Sequence, residues 1–236
     1  GHADLPSHIR SKGNADLRGG GSHSGRLTAP LVAAAGLISN LTIDLGFEII
    51  SQVCTIGGIN ATPISISKPH KTQTNAMKLT NCKDEKAAGK MYDLIKSTSE
   101  MGDSIGSSVE VVICGLPIGI GEPWFDGLEP ALARALMAIP AARAVEFGEG
   151  IASVKMHGSE HNDTWKDDAG SPQLSSTADG ALGGFSTGAP IRVKVHFKPP
   201  SSISKAQTTL NINSGIQENL VIEGRHDPVI GPRAAP

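Results

Sequence analysis

The apolar positions of the chain follow three patterns, and each predicts a different element. Residues 26–45 are apolar on nearly every side of a helical turn, which predicts a buried helix. Residues 84–101 keep a single apolar stripe, which predicts an amphipathic helix with Gly102 as its C-cap. Residues 191–198 alternate between apolar and polar side chains, which predicts a strand with one core face and one polar face that can line a site.

The remaining segments complete a mixed pattern. Asp126 and Glu129 have capping-box spacing ahead of an apolar helix. Residues 59–82 are rich in Thr, Lys, Asn and Ser and predict a long polar loop or lid. Further strands are predicted at 47–58, 107–116, 144–147, 151–156, 207–212 and 218–223. Because helices and strands mix without βαβ alternation or an internal repeat, we expect one α+β domain.

Composition and charge narrow the class of protein. With 236 residues, 39% hydrophobic content and a formal net charge of −2, the chain can bury a real core and has no basic field for nucleic acid. The longest apolar stretch, Pro30 to Ile38, is too short to cross a membrane. The 3 cysteines include no CxxC pair, so neither a disulfide framework nor a zinc site is expected and a reducing cytoplasm is the default.

A glycine-rich segment before the first long helix is the first candidate for chemistry. Residues 19–26 combine four glycines with Ser22, His23, Ser24 and Arg26. Backbone N–H groups at a helix start bind anions such as phosphate, and an arginine can add a bidentate contact. The same residues also fit a flexible loop that ends in an N-cap, and both interpretations stay open.

Three other segments carry groups that can donate, accept or titrate. Arg225, His226 and Asp227 directly follow a strand and form either a site edge or an exposed turn. Residues 197–202, FKPPSS, form either a phosphate or flavin contact or an ordinary strand end. His157 and His161 have i, i+4 spacing but lack the HExxH pattern, so no metal site is expected there.

Taken in order, these segments resemble a known family. The succession runs GHAD, GGGSHSGRLTAP, GIGEPWFDGLEP, IPAARAVEFGEG, GSEHND, ALGGFSTG, FKPPSSI and GRHDPVIGPRAAP. It resembles the chorismate synthases over nearly the whole chain. The resemblance implies a β-α-β layered sandwich, reduced FMN as cofactor, and elimination of phosphate from 5-enolpyruvylshikimate-3-phosphate to give chorismate in the shikimate pathway. It also implies a cytoplasmic homotetramer, or a plastid enzyme if a transit peptide precedes the chain.

The resemblance further implies roles for single residues. His2 matches a histidine proposed to protonate the reduced flavin, and Asp227 a carboxylate that assists proton removal at flavin N5. Ser24, Arg26 and Arg225 match substrate-binding positions. Residues 163–181 are expected to form an active-site loop. The positions that match cofactor contacts are Ser22, His23, Ser24, Pro140, Ala141, Gly183, Lys198, Pro199, Pro200, Ser201, Ser202 and Arg225.

The chain also departs from the family pattern. Pro140 stands where Asn is common, and Pro200 replaces the usual Thr of KPTxS. Family members are longer, so we expect the chain to be truncated at both ends. Two alternatives stay open: a shortened relative that binds flavin or phosphate without catalysis, and an assembly fragment that uses the helix at 26–45. Lacking a GxGxxG motif, the chain favours a separate flavin reductase over a built-in NADP-dependent one.

Overall fold

A computed structural model describes residues 2–16, 18–65, 74–165 and 180–236. Seven α-helices lie within these ranges: α1 (Asp4–Arg10), α2 (Ala29–Asp44), α3 (Asn75–Thr80), α4 (Glu85–Glu100), α5 (Leu128–Met137), α6 (Gly158–His161) and α7 (Gly231–Ala234). Short 3-10 helices cover Arg18–His23, Gly25–Thr28, Trp124–Asp126 and Gly150–Lys155. The mixture of helices with antiparallel strands confirms the α+β class.

Nine strands in the described ranges form one main sheet and two small hairpins. The strands are β1 (Glu48–Ile56), β2 (Ile59–Asn60), β3 (Ser107–Cys114), β4 (Ala142–Phe147), β5 (Ala181–Leu182), β6 (Phe185–Ser186), β7 (Ile191–Phe197), β8 (Gln207–Leu210) and β9 (Gln217–Leu220). The main sheet is antiparallel in the order β2-β1-β3-β7-β4. Strands β5 and β6 pair with each other, as do β8 and β9.

The core lies between one face of the main sheet and a layer of helices. Val53, Val109 and Val195 occupy one register row across β1, β3 and β7, and each is almost completely buried. Met77 of α3 and Met91 of α4 belong to the same buried cluster. The alternation predicted for residues 191–198 is confirmed, because the odd positions of β7 are buried and the even ones only half-buried.

Four sequence predictions need correction. Helix α2 forms but is not buried: its apolar side chains are exposed, Leu37 by 86%. The strand predicted at 151–156 is a 3-10 helix, because Gly148 and Gly150 take positive φ and turn the chain. Asp126 does not cap α5, since the N-cap is Gly127 without a side-chain bond. The polar loop at 59–82 contains β2 and α3, and its residues 66–73 lie outside the described ranges.

A buried ion pair holds the start of the 59–82 segment, at Ile64, against the polar face of the sheet. Glu110 of β3 is fully buried and pairs with the guanidinium of Arg192 on β7. Its other oxygen accepts hydrogen bonds from Gln52 Nε2 and from the Ile64 amide, both at 3.0 Å. Arg192 also donates to the Ile64 carbonyl at 2.9 Å. The pair therefore fixes the backbone at Ile64 through both of its polar groups.

Asp84 links the 59–82 segment, through Thr62, to the start of α4, and its carboxylate makes the stability of the fold depend on pH in the acid range. As N-cap, it accepts from the Ala87 amide at 3.1 Å and from the Thr62 amide and hydroxyl at 3.0 and 2.7 Å. The Thr62 hydroxyl, followed by the two amides, lowers the pKa of Asp84 to about 2. A lowered pKa in the folded state means that the ionised carboxylate stabilises the fold above its ordinary pKa, near 3.8, and that this contribution disappears as pH falls through about 2.

We therefore expect Asp84→Ala to lower the free energy of unfolding at pH 7 by about 1 kcal/mol, the usual cost of losing an N-cap. The difference from the unsubstituted protein should narrow steadily between pH 4 and pH 2. Urea denaturation across this range measures it, with Asp93→Ala on the exposed side of α4 as control. A difference that stays constant down to pH 2 would contradict the role of the charge.

Candidate active site

One end of the main sheet carries most of the residues that the sequence singles out. At this end Phe197 of β7 lies opposite Ser107 of β3 on one side and Ala142 of β4 on the other. The segments that flank these strand ends are Pro140–Ala141 before β4 and Lys198–Ser202 after β7. The family resemblance predicts both as cofactor contacts, and the antiparallel pairing places them side by side.

Main-chain contacts join these two segments. The Lys198 amide donates to the Ala141 carbonyl at 3.0 Å. The Lys198 ammonium donates to the Ser201 hydroxyl, and the Ser104 hydroxyl donates to the Pro200 carbonyl at 2.7 Å. Ala141 has φ +72°, a conformation that costs a non-glycine residue about 1–3 kcal/mol and is enriched at functional sites. The segments therefore form a connected and locally strained surface with a cation and hydroxyls on it.

Asp227 lies beside the same end of the sheet. The Ile105 amide, just before β3, donates to the Pro228 carbonyl at 2.8 Å. The Asp227 carboxylate is 2.7 Å from the Arg233 guanidinium and 3.8 Å from that of Arg225. Arg225 is 84% exposed and therefore accessible to an anion from solution. The loop that carries Asp227 and the segment after Lys198 are thus attached to adjacent residues, Ile105 and Ser104, at this end of the sheet.

The N-terminal candidates form a second group. The Asp4 carboxylate accepts a hydrogen bond from His2 Nδ1 at 3.0 Å, and the His2 ring centroid lies 6.4 Å from that of His23 in an edge-on arrangement. The Ser24 hydroxyl accepts from the Arg26 amide at 3.3 Å and so begins the 3-10 helix that precedes α2. The structure therefore brings His2 to the segment that holds Ser22, Ser24 and Arg26. The hydrogen bonds of His2 to Asp4 and of Arg26 to Ser24 stay within this N-terminal segment.

Gly183 belongs to a third location. It lies in the turn of the β5–β6 hairpin with φ +62°, and Gly184 follows with φ +93°. A Cβ on Gly184 would stand 2.2 Å from the Glu122 carbonyl oxygen, so only glycine permits this approach. The Ser186 amide donates to the Ile120 carbonyl, in the chain that leaves the far end of β3. The structure therefore separates Gly183 from the Lys198 segment.

Other candidate chemistry finds less support in the described part of the chain. Burial raises the pKa of the Cys54 and Cys82 thiols, which keeps them protonated and poorly nucleophilic. Among the residues described, no three His, Cys, Asp or Glu side chains are placed to hold a metal ion. No helix in the described ranges is long and apolar enough to span a bilayer. Of the loop predicted at 163–181, residues 166–179 lie outside the described ranges.

Comparison with known proteins identifies the family. The sequence profile of chorismate synthases matches residues 1–236. The chain belongs to the chorismate synthase family. The chorismate synthase of Dehalococcoides mccartyi is 41% identical over 239 residues, which cover 99% of this chain and 64% of that protein. That of Aeropyrum pernix is 41% identical over 237 residues and covers 100% and 62%.

A solved structure supports the family fold. A crystal structure of chorismate synthase matches 85% of this chain and 63% of its own, with a TM-score of 0.69 at 24% sequence identity. At this identity the match establishes the fold alone. The chain spans a little under two thirds of the length of the curated chorismate synthases reported above.

The sequence analysis does not single out two charged residues, Arg233 and Glu110, for which the structure shows specific ion-pair partners. Arg233 escaped because its partner Asp227 is six residues away across a proline-containing turn, where no helical or strand spacing applies. Glu110 was treated as part of a plain strand, SSVEVVIC. A lone carboxylate inside such an apolar run is a usable signal, because a buried charge requires a partner.

Proposed function

We propose that the protein containing this chain is a chorismate synthase, a lyase that eliminates phosphate from 5-enolpyruvylshikimate-3-phosphate to give chorismate. The observation that supports the proposal is a pair of loops attached to adjacent residues before β3, in a chain that matches the family throughout. One loop carries Lys198 and Ser201, and the other carries Arg225 and Asp227. A departing phosphate requires cations, and loss of a carbon-bound hydrogen requires a proton acceptor. This sheet end supplies both kinds of group.

Reduced FMN is the proposed cofactor, and the residues present fit it. The Lys198 ammonium, the Ser201 and Ser202 hydroxyls and the exposed Arg225 guanidinium suit a phosphorylated ligand. Pro140 and Ala141 border the same surface through the bond between Lys198 and Ala141. When bound, reduced FMN would lend electron density to the substrate and recover it, so that the overall reaction has no net redox change.

The chain's own residues divide the remaining work. Arg26 and Arg225 would bind the substrate phosphate and stabilise the charge that develops as it leaves. Because Nδ1 of His2 is engaged with Asp4, its Nε2 is the nitrogen available to hold or deliver a proton. Asp227 would accept a proton through its carboxylate. Ser22, His23 and Ser24 would line the same pocket beside His2.

The N-terminal group and the sheet-end group would meet in an assembly, which we propose to be a homotetramer. Helix α2 supports this, because apolar side chains such as Leu31 and Leu37 are 69% and 86% exposed and a second subunit would cover them. A separate flavin reductase would supply the reduced FMN, and the cytoplasm is the proposed location.

The test is anaerobic turnover by the full-length protein with reduced FMN and 5-enolpyruvylshikimate-3-phosphate. We expect stoichiometric release of phosphate and appearance of the chorismate absorbance. Omission of FMN, and oxidised FMN under air, are the matched controls and should give neither signal. Flavin binding without phosphate release would contradict the catalytic proposal and would indicate a non-catalytic flavin-binding relative.

A further inference from the structure

Asp227 has a second, nearer arginine whose purpose the proposed reaction does not explain. Both guanidinium contacts engage the same carboxylate oxygen, Oδ1, with Arg233 at 2.7 Å and Arg225 at 3.8 Å. Only the contact with Arg233 has hydrogen-bond geometry. The side chains of Asp227 and Arg233 are 38% and 59% exposed, and ion pairs in such positions contribute little to stability. Stability therefore does not account for the pair.

Arg233 is carried by a short helix that is firmly attached to the sheet. The Gly231 amide at the start of α7 donates to the Ser107 hydroxyl at 2.9 Å, and a Cβ on Gly231 would press against that side chain. Asn81 donates to the Pro232 carbonyl, and Ser51 donates to that of Ala235. Helix α7 is thus tied to β1, to β3 and to the end of α3 on either side of Arg233.

The Asp227 side of the pair is attached to the same strand. The Pro228 carbonyl accepts from the Ile105 amide at 2.8 Å, two residues before Ser107, and Val229 is buried in the core. Both partners therefore depend on the N-terminal end of β3 for their position. Because the backbone is anchored at both residues, the ion pair between Arg233 and Asp227 restricts the rotamers of the shorter side chain, that of Asp227.

We infer that Arg233 is a positioning residue for Asp227, an inference that rests on the function proposed above. Arg233 occupies Oδ1 and fixes the plane of the carboxylate, which leaves Oδ2 as the oxygen that accepts the proton. Arg225, whose side chain is 84% exposed, stays available for a phosphorylated ligand. The two arginines thus have different tasks at one carboxylate: Arg233 orients it, and Arg225 binds the anion beside it.

The experiment compares Arg233→Gln, Arg233→Lys, Asp227→Asn and the double variant Asp227→Asn/Arg233→Gln in the full-length protein, with Arg134→Gln on the exposed side of α5 as control. We expect Arg233→Gln to lower kcat by about tenfold to a hundredfold, the scale for a misplaced reacting group, with KM within about twofold. Arg233→Lys should recover part of the loss, because it keeps the charge without the guanidinium fork. In the Asp227→Asn background, Arg233→Gln should change kcat less than about twofold.

Two readouts are independent of turnover. The Kd for FMN, measured by fluorescence quenching, should stay within about twofold in Arg233→Gln, since Arg233 does not contact the ligand in this scheme. A crystal structure of Arg233→Gln should show the Asp227 carboxylate rotated or displaced, with the backbone of α7 unchanged. These readouts test the positioning role even if the unsubstituted protein releases no phosphate, a result that would defeat only the proposed function.

Three results would overturn the inference. The first is an equal loss of kcat from Arg233→Gln with and without Asp227. The second is a rise in the Kd for FMN that matches the loss of activity, which would make Arg233 a ligand contact. The third is an unmoved Asp227 carboxylate in the variant structure.

Discussion

Replacing Arg192 with methionine is expected to lower the free energy of unfolding by about 3–5 kcal/mol, because it leaves the fully buried Glu110 carboxylate without its cation. It also removes the hydrogen bond to the Ile64 carbonyl. Urea denaturation at pH 7 measures the loss. Lys83→Met is the control, since Lys83 is half-buried and lies between α3 and α4, outside the main sheet.

A second substitution shows whether the stability lost in Arg192→Met comes from the unpaired charge of Glu110 or from lost packing. Glu110→Gln in the Arg192→Met background keeps the shape of the side chain and an oxygen that can accept from the Ile64 amide, but it removes the charge. We expect this double variant to recover most of the lost stability. If Arg192→Met and Lys83→Met lower the free energy of unfolding equally, the ion pair has no special role. If Glu110→Gln brings no recovery, the lost stability comes from packing.

The largest effects on activity are expected at His2 and Asp227. His2→Ala and Asp227→Asn should each lower kcat in the full-length protein by about a hundredfold or more, the usual contribution of a general acid or base. Asp227→Asn keeps the shape of the carboxylate but cannot hold a negative charge. His2→Ala removes the ring whose Nδ1 is bonded to Asp4.

Anaerobic phosphate release measures both variants, and Asp93→Asn on α4 is the control for a change of charge far from the site. The melting temperature should stay within a few degrees in both variants, because neither side chain belongs to the buried core. Near-normal turnover in either variant would refute the role given to that residue.

The sequence predicts an element correctly where a repeated spacing of apolar residues specifies one buried face. Helix α4 and strand β7 agree with the sequence because a stripe and an alternation each specify one buried face. Helix α2 was predicted correctly as a helix but wrongly as buried, since apolar side chains do not specify which surface covers them. The strand predicted after Phe147 is wrong because two glycines with positive φ override the strand propensity of Ile151 and Val154.

The sequence predicts which segments contribute to the candidate site, but it does not predict which of these segments lie in contact. Sequence order placed Ala141 and Lys198 far apart, and only the pairing of β4 with β7 brings them into contact. The ion pair between Asp227 and Arg233 depends on how α7 attaches to Ser107, which no spacing along the chain encodes. Long-range pairing of this kind requires the fold itself.

The sheet end is joined through carbonyl oxygens, and this bears on how the family can diverge. Lys198, Ser104 and Ile105 each donate to a main-chain oxygen, those of Ala141, Pro200 and Pro228. An acceptor of this kind persists whatever side chain the residue carries. Side-chain substitutions at Ala141, Pro200 and Pro228 can therefore accumulate over evolutionary time while the backbone scaffold of the site is inherited unchanged.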